Sequence, residues 1–138
     1  MEPLRVGIIG CGTISGAYLK NMSASPHLKV VACADQVLER AQARAAEFGV
    51  PNACATDELL ASDEVELVVN LTVPNAHADI SARGLRAGKH VFTEKPLATT
   101  RHDGQRILDV AASSGLTVAC APDTFLGAGL QTCLRLLE

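Results

Sequence analysis

The chain has 138 residues, 48% of them hydrophobic and 20% charged, with a formal net charge of −3. That length supports about one domain with a real core, and that composition excludes a disordered chain. The mild acidity and the scattered aromatics Tyr18, Phe48, Phe92 and Phe125 argue against a nucleic-acid partner.

No apolar stretch approaches bilayer length and the N-terminus lacks an export signal pattern, so no membrane partner is expected. The cysteines fall at positions 11, 33, 54, 120 and 133, without a Cys-x-x-Cys pair and mostly inside apolar runs. Reduced thiols, most of them buried, in a cytoplasmic protein are the plain expectation.

The first apolar run, Leu4–Ile9, predicts a strand. It ends in Gly10-Cys11-Gly12 and flows into a helical pattern over 13–23. Strand, glycine turn and helix in that order make a cradle for a dinucleotide pyrophosphate. Gly10 permits the tight turn, Gly12 lets the backbone approach the phosphates, and the helix points its free N–H groups at the anion. The third position of the fingerprint is Ser15, with Gly16 just after. A second strand, Lys29–Ala34, ends at Asp35, the spacing at which an acid meets the adenosine ribose hydroxyls. The plain alternative for Asp35 is a cap on the next helix, predicted over 37–48 with Leu38, Ala41, Ala45 and Phe48 on one face and Gly49 as its stop.

A short strand at Ala53–Cys54 and a helix at 57–61 follow. The fourth strand, Leu67–Leu71, breaks at Thr72-Val73-Pro74-Asn75, where Pro74 stops the strand and Asn75 is expected to cap a helix over 76–87. His77 falls in the first turn of that helix, close to the crevice, and reads more as cleft wall than as proton carrier. Arg83, Arg86 and Lys89 read as a solvated positive face; His27, His90 and His102 read as surface or satisfied residues. The fifth strand, His90–Phe92, runs into Thr93-Glu94-Lys95-Pro96-Leu97. That places an acid and a cation at a strand mouth, where a lysine can hydrogen-bond a substrate hydroxyl. A helix over 101–114, capped by Thr100 and stopped by Gly115, precedes a sixth strand at Thr117–Cys120. Leu126, Leu130, Leu134 and Leu137 then keep helical spacing.

Strands alternating with helices call for an α/β fold with right-handed crossovers. The expected architecture is a Rossmann-type doubly wound parallel sheet, order 3-2-1-4-5-6, forming one dinucleotide-binding domain over 1–138. Its ligand crevice opens at the carboxyl ends of strands one and four.

Three segments resemble the amino-terminal half of the glucose–fructose oxidoreductase, inositol dehydrogenase and rhizopine-catabolism (Gfo/Idh/MocA) family. They are Gly7 to Ser15, Thr72-Val-Pro-Asn-Ala-His77, and Ala87-Gly-Lys-His-Val-Phe-Thr-Glu-Lys-Pro-Leu-Ala-Thr99. The resemblance covers essentially the whole chain, and the Glu-Lys-Pro segment is its specific part. It implies that Gly10, Gly12, Thr13 and Ile14 bind the pyrophosphate and that Asp35 holds the ribose. It also implies that Thr72, Pro74, Asn75 and His77 line the cofactor cleft, with Glu94 beside it. Lys95 would lie by the nicotinamide and the substrate hydroxyl as the catalytic residue. Two departures stand out: the family's second, sheet-forming domain, with its Asp/His pair for proton transfer, is absent from this chain, and the stretch just after the sixth strand, Cys120-Ala-Pro-Asp-Thr-Phe125, lacks the arginine that many relatives place there.

The function expected is that of the NAD(P)-binding domain of an oxidoreductase. The complete enzyme would move hydride between the nicotinamide cofactor and a sugar, polyol or related hydroxyl substrate, and the isolated chain would be inactive. The alternative is a non-catalytic module that senses a dinucleotide. NAD is expected over NADP, because Asp35 accepts from ribose hydroxyls and repels a 2′-phosphate; Arg40, a turn further on, is the cation that opposes this. No metal is expected, and the leucine stripe points to a homo-oligomer.

Overall fold

The computed structural model describes residues 2–121 and 123–137. Met1, Pro122 and Glu138, and with them both ends of the expected domain, lie outside the described residues.

The elements alternate as the apolar runs do: β1 (Leu4–Ile9), α1 (Ser15–Ser23), β2 (Leu28–Ala34), α2 (Leu38–Phe48), β3 (Asn52–Cys54), α3 (Thr56–Ala61), β4 (Leu67–Asn70), α4 (Pro74–Arg86), β5 (His90–Thr93), α5 (Arg101–Ser114), β6 (Val118–Cys120) and α6 (Ala128–Leu137). The six strands form one parallel sheet in the order β3-β2-β1-β4-β5-β6. The strands carry apolar residues on both sides because both faces are covered. On one face Val6, Ile8, Cys33 and Val69 pack with Leu19 of α1 and Ala41 and Ala45 of α2. On the other, Ile9, Val68 and Val91 pack with Leu59 of α3, Ile80 and Leu85 of α4 and Ile107 of α5.

Helix ends follow their local chemistry. Thr100 caps α5 by accepting from the Asp103 N–H at 3.1 Å, and Gly49 and Gly115 end α2 and α5 in the left-handed conformation. Helix α4 begins two residues earlier than its periodicity suggests. Pro74 occupies its first position, where a fixed φ and a missing N–H cost nothing, and Val73 is the capping residue. Asn75 is therefore not the cap.

Three other expectations are corrected. Leu38 is 42% exposed at the first position of α2, whose buried residues are Ala41 and Ala45. Lys89 is not part of a solvated face: it is 7% exposed, and its Nζ donates to the Ser62 carbonyl at 2.7 Å. The leucine stripe is also not one helix. Asp123–Leu126 is a 3-10 turn, and α6 starts after Gly127. Among the described residues no helix is long and apolar enough to cross a membrane.

Helix α6 buries none of its residues; Leu130, Leu134, Leu136 and Leu137 are 49–86% exposed, beside Phe125 and Leu126. An apolar patch of that kind favours association. Sedimentation velocity of the purified chain is expected to show dimers or larger species, and Leu130→Glu with Leu134→Glu is expected to return a monomer. A wild-type chain that stays monomeric at high concentration would contradict this.

Candidate functional site

The carboxyl ends of the strands lie level. Cys54 pairs with Ala34, Ala34 with Ile9, Ile9 with Asn70, Asn70 with Thr93 and Thr93 with Cys120. Beyond this rim, the chain leaves β1 for α1 on one face and leaves β4 for α4 on the other. The two exits diverge between neighbouring strands, and a crevice of about 560 Å³ opens there.

Gly10 makes the turn off β1. Its φ is +104°, and its N–H donates to the Ala34 carbonyl at 2.8 Å. A Cβ on Gly10 would stand 2.6 Å from the carbonyl carbon and oxygen of Leu71 and 2.8 Å from the Thr72 nitrogen. Both the conformation and the space demand glycine. Gly12 differs, since a Cβ there meets nothing within 4 Å and would project into open space on the crevice wall. The N–H groups of Gly12, Thr13 and Ile14 have no acceptor among the described residues. Ser15 is fully buried and its hydroxyl donates to the Gly12 carbonyl at 2.6 Å, while Gly16 faces Arg44 and Phe48 of α2. The departure at the third fingerprint position is thus absorbed by two small residues, one toward the sheet and one toward the neighbouring helix.

Asp35 does more than the spacing foretold. Its Oδ2 accepts from the Cys11 N–H at 2.7 Å and its Oδ1 from the Val37 N–H at 2.9 Å. It does not cap α2, whose capping residue is Val37. The carboxylate ties the glycine turn to the end of β2 and still lines the crevice. Beneath it Cys11 and Cys33 are buried, and a hydrogen bond to Cys11, with burial, pushes the Cys33 thiol well above its ordinary range. Cys133, in contrast, is exposed.

The crevice brings together Gly10, Gly12, Asp35, Arg40 and Thr72. Thr13 and Ile14 stand exposed at the start of α1, and Pro74 and Asn75 stand exposed at the start of α4. His77 is 1% exposed, its Nδ1 2.7 Å from the Pro96 carbonyl and its Nε2 3.0 Å from the Thr72 carbonyl. Both partners are acceptors, so each contact is a hydrogen bond only when that nitrogen carries a proton. The ring therefore sits between the loops after β4 and β5, behind the crevice wall.

Glu94 is held twice. Its Oε1 accepts from the Tyr18 hydroxyl at 2.7 Å and its Oε2 from the Lys95 N–H at 3.0 Å. The Lys95 side chain is exposed, outside the crevice lining, and its ammonium has no partner among the described residues. The Lys95–Pro96 peptide is cis.

Sequence reading missed two groups. Asn70 is completely buried; its amide donates to the His77 carbonyl and the Ser81 hydroxyl, and its oxygen accepts from the N–H and hydroxyl of Thr72. An asparagine inside the run Leu67-Val-Val-Asn-Leu71 was its one signal. The other group is the far lining of the crevice, which includes Thr56, Asp57, Ile80 and Arg83, and no local pattern announces it.

A family model described as an oxidoreductase family with an NAD-binding Rossmann fold (GFO_IDH_MocA) matches residues 4–121. The chain is 41% identical over 121 residues to a dTDP-3,4-didehydro-2,6-dideoxy-alpha-D-glucose 3-reductase of Streptomyces violaceoruber, covering 86% of this chain and 35% of that protein. It is 35% identical over 115 residues to an inositol 2-dehydrogenase of Salmonella paratyphi B, covering 81% and 34%. The crystal structure of KijD10, a 3-ketoreductase from Actinomadura kijaniata in complex with NADP and TDP-benzene, matches with a TM-score of 0.86 at 34% identity, covering 98% of this chain and 42% of that one. The chain thus spans about a third of the length of the curated relatives it matches.

The two glycines of the turn are expected to respond differently to one methyl group. Gly10→Ala should cost about 2 kcal/mol or more, from the left-handed φ and the backbone clash. Gly12→Ala should leave the melting temperature within a degree or two of wild type, as an unstrained exposed change does. Thermal unfolding followed by circular dichroism checks both; equal losses would contradict the geometry.

Proposed function

The chain belongs to the Gfo/Idh/MocA oxidoreductase family with its NAD-binding Rossmann fold, and on that premise we propose that it forms the cofactor-binding domain of a sugar or polyol oxidoreductase. The observation that carries this reading is the convergence, at one crevice, of a glycine turn with unpartnered N–H groups and a fixed carboxylate. The fit to a dinucleotide rests on Gly12, where the space a Cβ would fill is left open. When bound, the nicotinamide gives or takes a hydride.

The residues of this chain divide the remaining work. The N–H groups of Gly12, Thr13 and Ile14, at the start of α1, receive the pyrophosphate oxygens. Asp35 receives the ribose hydroxyls. Thr72, with Pro74 and Asn75 beyond it, forms the opposite wall, and His77 fixes that wall to the loop of Glu94 and Lys95. Glu94, anchored by Tyr18, positions the segment; Lys95, whose side chain has no partner among the described residues, gives a proton to the substrate oxygen as its ammonium when a carbonyl is reduced and, as its neutral amine, takes that proton from the hydroxyl in the reverse direction. The reductase and inositol dehydrogenase relatives support a sugar or polyol as the substrate class. Residues 1–138 act as one dinucleotide-binding unit, and a second sheet-forming domain completes the substrate site in the whole enzyme.

Asp35 supports NAD over NADP, since its carboxylate opposes a 2′-phosphate. Arg40 lines the same crevice and is the group that would favour NADP. Titration calorimetry is expected to give NAD at least about tenfold tighter binding, roughly 1.4 kcal/mol. Asp35→Asn, which keeps one acceptor for the turn and removes the charge, should narrow that gap. Tighter binding of NADP by the wild type would reverse the assignment. Gly12→Ala should lose most of the affinity for either cofactor while staying folded.

The purified 138-residue chain is expected to bind NADH without turning over inositol or glucose, because no described residue encloses a substrate over Lys95. Lys95→Ala should leave both melting temperature and cofactor affinity nearly unchanged. In an enzyme containing this domain the same change should lower turnover by about 100-fold or more, the usual worth of a positioned proton-transfer group. Steady NADH production by the isolated chain, or normal turnover without Lys95, would overturn the assignment.

A further inference from the structure

Cys11, the middle residue of the glycine turn, is turned in toward β2. It is 5% exposed, and its Sγ lies 3.5 Å from the Ala34 carbonyl. Cys33, the residue before Ala34, is fully buried, and its thiol hydrogen-bonds the Cys11 sulfur. Both belong to the core cluster on one face of the sheet. Cys54 packs against the cluster on the other face, and Cys120 lies on β6, at the far edge of the sheet. Cys133 is exposed on α6. Cys11 and Cys33 are thus the two thiols that the fold brings together. The hydrogen bond from Cys33 holds the Cys11 thiol below its ordinary range, against burial and the Asp35 carboxylate; Arg44, whose Nη2 reaches the Gly12 carbonyl at 3.4 Å, adds to the effect. A thiolate is the form of cysteine that attacks an oxidant.

We propose that Cys11 and Cys33 are a site of reversible oxidative modification, at which a peroxide converts the two thiols to a disulfide and so loosens the hold of the glycine turn on the cofactor. The Cys11 thiolate attacks one peroxide oxygen. An S–O bond forms, the O–O bond breaks, and the hydroxide released takes up the proton that Cys11 had shed and leaves as water. The Cys33 sulfur then attacks the Cys11 sulfur. The S–S bond forms, the S–O bond breaks, and the second hydroxide leaves as water with the Cys33 proton. The two thiols lose two electrons and the peroxide gains them. Bonded sulfurs stand much closer than hydrogen-bonded ones, so one residue must move. Cys33 lies in a strand paired on both sides, and Gly10 is wedged against the Leu71–Thr72 peptide. The displacement therefore falls on the other side of Cys11, on Gly12 and Thr13, and strains the bond from the Cys11 N–H to Asp35. The effect on the cofactor rests on the function proposed above; the pairing of the thiols does not.

The test uses the full chain carrying Cys133→Ser, which removes the exposed thiol. After treatment with hydrogen peroxide, tryptic digestion without reductant and mass spectrometry should find Val6–Lys20 joined to Val30–Arg40, the fragments that hold Cys11 and Cys33. Titration calorimetry should show the joined chain binding NAD about tenfold or more weakly than the reduced chain, within the usual range of coupling between two sites, and dithiothreitol should restore the affinity. In a glutathione redox buffer, saturating NAD should shift the pair toward its thiols by that same factor, because the coupling is reciprocal. Cys33→Ala, and Cys11→Ala as a second variant, should show no joining and no loss of affinity that dithiothreitol reverses. Absence of the joined fragments, joining to Cys54 instead, or an unchanged NAD affinity in the joined chain would overturn the proposal. A reduced chain that binds no NAD would overturn the cofactor site and the effect on it, while the fragments would still decide the pairing.

Discussion

The architecture turns on one close approach of backbone to backbone. Gly10 sits against the peptide joining Leu71 to Thr72, with no room for a Cβ between them. The contact holds the end of β1 against the end of β4, which is where the strand order reverses and the helices part to opposite faces. Had any side chain stood there, the turn would have moved away from β4 and the crevice would have lost its floor. On the far side of the same turn, the Asp35 carboxylate holds the Cys11 N–H, and the Ala34 carbonyl holds the Gly10 N–H. The glycine turn is thus gripped from β2 and wedged by β4. Its remaining N–H groups face outward because the inward ones are already taken.

The opposite wall is built on a different principle. Asn70, Thr72, His77 and Ser81 form a buried polar network between β4 and α4. A buried amide is costly unless its bonds are made, and here both its donor and its acceptor ends are engaged. Such a network tolerates few alternative arrangements, so it fixes where the loop after β4 runs. His77 extends it to Pro96 and so to the loop after β5, whose Glu94 is tied to Tyr18 of α1. The exposed lysine at the rim therefore springs from a segment anchored on two sides. Rigidity in the support and freedom in the ammonium are compatible because they reside in different atoms.

Much of this was legible in the sequence, because it depends on local chemistry. The apolar runs and glycine stops marked the strands and helices; the Gly10–Gly12 turn and Asp35 marked the crevice; Thr100 and Gly115 marked the ends of α5. The expectations that failed involve tertiary partners. Lys89 looks like one more surface cation until Ser62 is brought to it from the far end of α3. Leu38 has the right phase for a core residue but stands exposed at the first position of α2. Asn75 has the right chemistry for a cap, and lost to the neighbouring Pro74, whose geometry suits the first helical position better. Asp57 and Arg83 are 26 residues apart, and nothing in either segment names the other. Asn70 could have been noticed, since a polar residue within a buried strand demands a partner, but the identity of that partner is a fact of the fold.

The crevice has a chemical direction. At the α1 end it offers hydrogen-bond donors, the N–H groups of Gly12 to Ile14, reinforced by the positive end of the helix dipole. At the other end it offers acceptors, the carboxylates of Asp35 and Asp57. Between them lie apolar walls. Acids alone would repel a phosphate-bearing ligand along its whole length, since charges in a partly enclosed cleft are weakly screened. Arg40 and Arg83 stand beside the two acids in the same lining and offset that field locally. The acids are thus left to act at short range, as acceptors, while the crevice as a whole does not oppose an anion. On the function proposed above, a ligand that gives its phosphates to the N–H groups at the α1 end and its hydroxyls to Asp35 is held in one direction, because reversing it would set phosphate oxygens against the carboxylate and leave those N–H groups without their anion.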